Sequence, residues 1–402
     1  MSYAGEFVPN TNADESRGYA TRPATAPPAA PYGSVGLETY LSEISGLGKL
    51  HKIGLVEEQS TGRTWCLQSD EGASLGGTNL APAPLSQWMA GLQADVAFRI
   101  AALARTRGKR LEHLMVGVTQ GLASKGSFAR GEAVALIFGL DWDVDIRGNI
   151  TESEAADLLD SALRTSPAVA AMLNAQDGLF ALHTNGKQTA LEGLAPWIEP
   201  TVVDPRRRYS TIPIATGEAT EQVFTFVDGG GQPAAASASI ATHSSSDASN
   251  TPVGFHVEAR GELDLTTGCM RSSTGLPEKT SDRWVILSDP DGQVAPAPLA
   301  LFAIGSAFCY HTMLSRYVNV RRLPLQNSSL AQVTRYESTD PDSGPAARAY
   351  AIQTNMYLNG GATEDETRSL LQVAANTCYV HRAMAMEVPM TRDLTLESSV
   401  TS

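Results

Sequence analysis

Two stretches of this chain are apolar on nearly every helical face, and both open on the same five residues, Ala-Pro-Ala-Pro-Leu. Residues 294–322, VAPAPLALFAIGSAFCYHTMLSRYVNVRR, predict one long helix. Pro296 and Pro298 suit its first turn, where a missing N–H costs nothing, and Arg316, Arg321 and Arg322 lie towards its far end, where positive charge suits the dipole. Residues 80–105, LAPAPLSQWMAGLQADVAFRIAALAR, predict a second such helix. A helix with no polar face is one that other elements surround.

Between and after these helices the apolar positions alternate or run in short blocks, as strands do. Strands are expected in HKIGLVEE and TWCLQSD before the first helix, preceded by a short helix in ETYLSEI, and then at 113–120 and 133–139. Residues 221–227, 254–265, 283–287, 329–339 and 347–357 give strand patterns in the second part of the chain. Thr151-Glu152-Ser153-Glu154 supplies a cap and acidic first turn for a helix over 152–173, and a similar helix closes the chain at 363–386. The predicted class is α+β, helices packed on mostly antiparallel sheets.

The order of elements occurs twice. Trp65-Cys66-Leu67-Gln68-Ser69-Asp70 matches Trp284-Val285-Ile286-Leu287-Ser288-Asp289, the two Pro-rich helix starts match next, and Thr165-Ser166-Pro167 falls opposite Thr377-Cys378-Tyr379. The spacing between copies drifts by a few residues and the order is kept, which is the signature of a duplicated domain. Counting from the shared Ala-Pro-Ala-Pro-Leu, Cys309 of the second copy corresponds to Asp95 of the first.

These residues carry a family resemblance. Each half resembles a domain of the OsmC/Ohr family, the osmotically inducible and organic hydroperoxide resistance proteins: strands, a central helix bearing one cysteine, more strands, and a later helix bearing a second. The matching cysteines are Cys309 in APAPLALFAIGSAFC and Cys378 in NTCYVHRAM. The resemblance implies two OsmC-like domains, 37–190 and 218–388, joined by a linker over 191–217 and folded as an intramolecular pseudo-dimer, since family members are intertwined homodimers. A further homodimer of the whole chain stays open. Residues 1–36 are expected to lack structure, being rich in Pro, Ala, Thr and Gly, and 389–402 form a tail. A low-complexity insert at 229–250 interrupts the second domain.

Composition narrows the partners. The chain holds 30 Lys+Arg against 43 Asp+Glu, a formal charge of −13, which disfavours nucleic acid as a ligand. No signal peptide pattern opens the chain, and no stretch approaches the ~20 uninterrupted apolar residues of a membrane span, so a soluble cytoplasmic protein is expected. Its 4 cysteines are too few and scattered for a disulfide scaffold and read as thiols in a reducing compartment.

The resemblance implies a thiol-dependent peroxidase, with Cys309 attacking an organic hydroperoxide, Cys378 resolving the sulfenic acid to a disulfide, and a dithiol reductant closing the cycle. Only one of the two pseudo-equivalent sites carries thiols; the other holds Asp95 and Ser166. Hydroperoxide-reducing members have a glutamate upstream of the first cysteine that orients an arginine over the thiolate. Leu299 stands at that glutamate's position, and Arg260, in HVEARGELDL, is the carry-over for the arginine, with Arg283 as another candidate. Phe302, Phe308, Tyr310 and Met313 would line an apolar pocket, or belong to plain core. His381 shares a helix face with Cys378 at a spacing of i, i+3. Three alternatives stand beside the peroxidase: a diverged cysteine- or metal-dependent enzyme with a transition metal at Cys309, Cys378 and His381, a non-catalytic binder of an apolar small molecule, and two thiols that are merely buried core.

Overall fold

A computed structural model of the chain describes residues 18–22, 32–198, 202–206, 222–227, 253–277, 283–342 and 344–396. The first run of elements is β1 (Gly18–Arg22), β2 (Gly36–Gly48), β3 (His51–Glu58), β4 (Thr64–Ser69), α1 (Pro84–Thr106), β5 (Leu111–Lys125), β6 (Val134–Gly148), α2 (Glu152–Thr165), α3 (Pro167–Leu173), β7 (Leu179–Thr184) and β8 (Lys187–Thr189). The second is β9 (Phe224–Val227), β10 (Val253–Leu263), β11 (Met270–Gly275), β12 (Arg283–Ser288), α4 (Pro298–Arg321), β13 (Leu325–Ser338), β14 (Arg348–Ala349), β15 (Gln353–Gly360), α5 (Glu364–Thr377), α6 (Tyr379–Met384) and β16 (Met390–Leu396). The duplicated order is therefore present in the fold as well as in the residues.

The two runs do not form separate sheets. One sheet has the order β1-β4-β3-β2-β13-β15-β7-β8, so four strands of the first run continue into two of the second. The other has the order β16-β6-β5-β10-β11-β12-β9, the same arrangement with the runs interchanged. Within each, the long pairings are antiparallel, as between β2 and β13 and between β5 and β10, while β7 on β15 and β16 on β6 are parallel additions.

The helices α1 and α4 lie against one another inside this frame. Small residues set their approach: a side chain added at Gly91 would meet the Phe302 backbone nitrogen at 2.4 Å, and one at Gly305 would meet the Trp88 backbone nitrogen at 2.6 Å. Counted from their helix starts, Gly91 and Gly305 occupy the same position, and so do Trp88 and Phe302, whose rings stack with centroids 5.5 Å apart. Gly305→Ala gains about 1 kcal/mol of helix propensity. Forcing a methyl group against backbone typically costs ~1–3 kcal/mol, and backbone gives less readily than a side chain. The expected net result is a lower urea midpoint with an unchanged slope; a rise in the midpoint would mean that the helices separate freely.

Several expectations need correction. ETYLSEI is not a helix but the middle of β2, whose inward residues Tyr40 and Ile44 reach the core while its backbone pairs with both β3 and β13. Each predicted later helix is broken, at Ser166 and at Cys378, both of which take extended backbone angles. Pro167 explains the first break, since it lacks an N–H and disfavours a helical residue before it; the second falls at the same place with Tyr379, not proline, after it. The expectation of an unstructured start fails at Gly18–Arg22, which pairs with β4, and at Tyr32, whose ring packs edge-on against Phe98. The insert at 229–250 lies outside the described residues. Pro298–Arg321 is long and apolar enough to cross a membrane by length and composition, contrary to the sequence expectation, and its apolar window is 94% buried within the fold.

Candidate functional site

Cys309 sits in the middle of α4, 2% exposed, and Cys378 at the break between α5 and α6 is fully buried. The break matters, because an extended residue between two helices turns its side chain out of the helical row. The two sulfurs lie within hydrogen-bonding reach of one another, and both are free thiols. Burial, and then the neighbouring Cys309 sulfur, push the Cys378 thiol well above the ordinary cysteine range, so it rests protonated.

His381 reaches back to this thiol. Its Nδ1 is 3.3 Å from the Cys378 sulfur, while its Nε2 faces Thr354 Oγ1 at 3.3 Å and Gln332 Nε2 at 3.5 Å. Burial pulls its pKa down to about 3, so the ring is neutral. His381 is held beside Cys378, wedged against Phe180 and Tyr310.

Lys52 and Glu71, charged groups near Cys309, come from the first run of the chain and were not singled out in the sequence. Lys52, on β3, is 1% exposed and donates to the Leu50 carbonyl. Burial lowers its pKa to about 8, against the opposing pull of Glu71, Asp70 and Cys309. Glu71 lies just beyond β4; burial raises it, and Lys52 and Arg316 act in the opposite sense, with Thr312 beside it. His311, pulled down to about 3 by burial and by Lys52, is neutral, with the Ser315 and Ser328 hydroxyls at its ring nitrogens, 3.3 and 3.1 Å away. A charge at an inward position of a strand was the signal available: Lys52, Gly54 and Val56 share one face of HKIGLVEE.

The structure does not bring Arg260 to the thiols. Strand alternation turns Ala259 inward and Arg260 outward, where it pairs with Asp143 of β6. Arg283 is engaged by Glu258 at 2.6 Å and Ser273 at 2.8 Å. Leu299 is buried apolar core. Of the proposed pocket residues, Phe302 stacks on Trp88, Phe308 is fully buried core, and the Tyr310 hydroxyl donates to the Leu371 carbonyl at 3.0 Å. Among the described residues no group of three or more His, Cys, Asp or Glu is placed to hold a metal ion, so geometry lends nothing to a metal centre at Cys309, Cys378 and His381.

The position of Cys309 in the other long helix holds a closed charge network. Asp95 is fully buried and paired with Arg99 Nε at 3.0 Å; it accepts hydrogen bonds from Ser166 and from Tyr32, and Arg99 continues to Ser338 Oγ at 3.0 Å. Every partner needed to keep a carboxylate out of water is present.

With this geometry in hand, the chain can be set beside known proteins. A family model described as OsmC-like protein matches residues 290–392, which run from the turn after β12 into β16. Residues 290–392 are an OsmC-like domain. Both thiols and His381 fall inside it, whereas Lys52 and Glu71 do not. No curated protein matches the chain. Among solved structures, the crystal structure of an OsmC-like hydroperoxide resistance protein from Jannaschia sp. CCS1 is similar to it at 19% identity, over 32% of this chain and 82% of that one, with a TM-score of 0.20.

Proposed function

We propose that this chain reduces organic hydroperoxides at a single thiol site to which both of its halves contribute, as a tandem pseudo-dimer of OsmC-like domains. The observation that carries this reading is the pair of buried, free sulfurs of Cys309 and Cys378 within reach of one another, beside a buried Lys52 and Glu71 from the other half. A thiolate is the nucleophile in such chemistry, and an ammonium nearby favours it. The Cys309 thiolate attacks the terminal oxygen of the hydroperoxide, the O–O bond breaks, and Cys309 becomes a sulfenic acid while the remainder leaves as an alcohol. Cys378 then attacks the Cys309 sulfur, water departs, and a disulfide forms. A dithiol returns the pair to the reduced state. In the tautomer that carries its proton on Nδ1, His381 stabilises sulfur charge at Cys378 as that thiol gives up its own proton.

The test is intact mass and free-thiol count before and after stoichiometric cumene hydroperoxide. The expected result is loss of two thiols as a Cys309 to Cys378 disulfide, reversed by dithiothreitol. Unchanged thiols after oxidant would overturn the reading.

A further inference from the structure

We infer that the Lys52 ammonium gives its proton to the oxygen that leaves when the hydroperoxide bond breaks at Cys309, an inference that rests on the peroxidase reading above. The geometry begins with strand alternation. Gly54 lies on the same face of β3 as Lys52, and a side chain added there would meet Phe308 Cζ at 2.8 Å and Ile304 Cδ1 at 3.0 Å, so this face of β3 lies directly on α4. Lys52 therefore faces the turn of α4 that holds Cys309 and His311. Gly46 of β2, its partner in register, points at the His311 ring, whose Cε1 would lie 3.6 Å from an added side chain. One of the three ammonium donors goes to the Leu50 carbonyl.

The other groups around the thiol lack a proton suited to the task. His311 and His381 are both neutral near pH 7, their pKa values pulled to about 3. Arg316 is turned to the Phe128 ring, its guanidinium 4.9 Å from the ring centre. Tyr379, pushed up to about 12 by burial, is a poor acid. Cys378 has its own proton to lose in the second step, and burial holds it on. Lys52, at about 8, carries a proton at neutral pH and can release it. Glu71 and Asp70 are the carboxylates that keep the ammonium charged in its buried position.

The protons then balance. The cycle starts from the Cys309 thiolate, the Lys52 ammonium and the Cys378 thiol. Attack on the hydroperoxide forms the S–O bond and releases an alkoxide, which takes the Lys52 proton and departs as alcohol. Neutral Lys52 accepts the Cys378 proton as that sulfur attacks Cys309, and returns it to the departing hydroxide, giving water and a disulfide. On reduction by a dithiol, both cysteines regain protons and Cys309 passes its own to Lys52, which restores the starting state.

The experiment compares two oxidants by stopped flow, cumene hydroperoxide, which expels a strongly basic alkoxide, and peracetic acid, which expels a weakly basic carboxylate that needs no proton. For Lys52→Met the expected result is a loss of roughly 10²–10⁴-fold with cumene hydroperoxide, the usual worth of a general acid, and a far smaller loss with peracetic acid. Lys52→Arg keeps the charge without a releasable proton and is expected to show the same selective loss; it decides the matter should Lys52→Met not fold. Equal losses with both oxidants, or no loss with either, would overturn the inference while leaving the peroxidase reading in place. Wild-type protein inert to both oxidants would overturn the peroxidase reading itself.

Discussion

Cys309→Ser is expected to reduce hydroperoxide consumption to the uncatalysed background, whereas Cys378→Ser should complete its first turnover and then stop. Removing the nucleophile of a covalent mechanism costs on the order of 10⁴-fold or more. Serine at 309 would keep the volume and the burial while offering an alcohol that no neighbouring base activates, since His311 and His381 are neutral and of low basicity. Serine at 378 leaves the attacking sulfur and its Lys52 and Glu71 surroundings untouched. Its sulfenic acid at Cys309 would persist because no second thiol follows, and the protein should gain the mass of one oxygen. Steady turnover by Cys378→Ser at the wild-type rate would show that the second sulfur is a packing residue. A single turnover at the wild-type rate followed by arrest is the pattern expected of a resolving thiol.

Acid should destabilise this protein well before most carboxylates titrate. His311 and His381 are buried as neutral rings with pKa values near 3, against 6.5 for an exposed histidine. Between these limits the unfolded chain binds protons that the folded chain refuses, so stability falls as pH drops through 6.5 and continues to fall until about 3. Each ring is expected to cost roughly 2 kcal/mol on going from pH 7 to pH 5, and the two together roughly 4, out of a typical total of 5–15. Glu38 and Glu71, raised by burial, work in the opposite direction as they take up protons, which is why the measurement compares variant with wild type at each pH. Urea unfolding of His381→Asn should show about half the wild-type dependence between pH 7 and pH 5. An identical dependence would mean that His381 is protonated in the folded state.

The long helices and the two thiols were legible because an apolar run on all faces with a proline start has few other meanings, and because the repeat aligned Cys309 with Asp95. The ETYLSEI stretch was misread for a physical reason: Tyr40 and Ile44 are spaced as on one helix face, and also as alternate positions of a strand. Only the partners β3 and β13, distant in sequence, decide between the two. The same limit hid the interchange of strands, since a period of two marks a strand without saying which other strand it meets. Arg260 was placed by the order of strands alone, and its parity along β10, outward beside inward Ala259, was invisible. Lys52 carried a signal, an ammonium in register with Gly54 and Val56, but a lysine near a strand start is more often solvated, and its value came from a cysteine on the other half of the chain.

The interchange of strands also governs when the protein can fold. The edge of β2 waits for β13, that of β5 waits for β10, and the apolar faces of α1 wait for α4. During synthesis the first half therefore emerges with the edges of β2, β5, β6 and β7 open and a helix uncovered, and none of these can close until the second half has been made. Contacts so distant along the chain are slow to form, and exposed edges and apolar surface invite association with other chains in the meantime. Nascent chains paused before α4 should accordingly be clients of chaperones, while the finished protein should not.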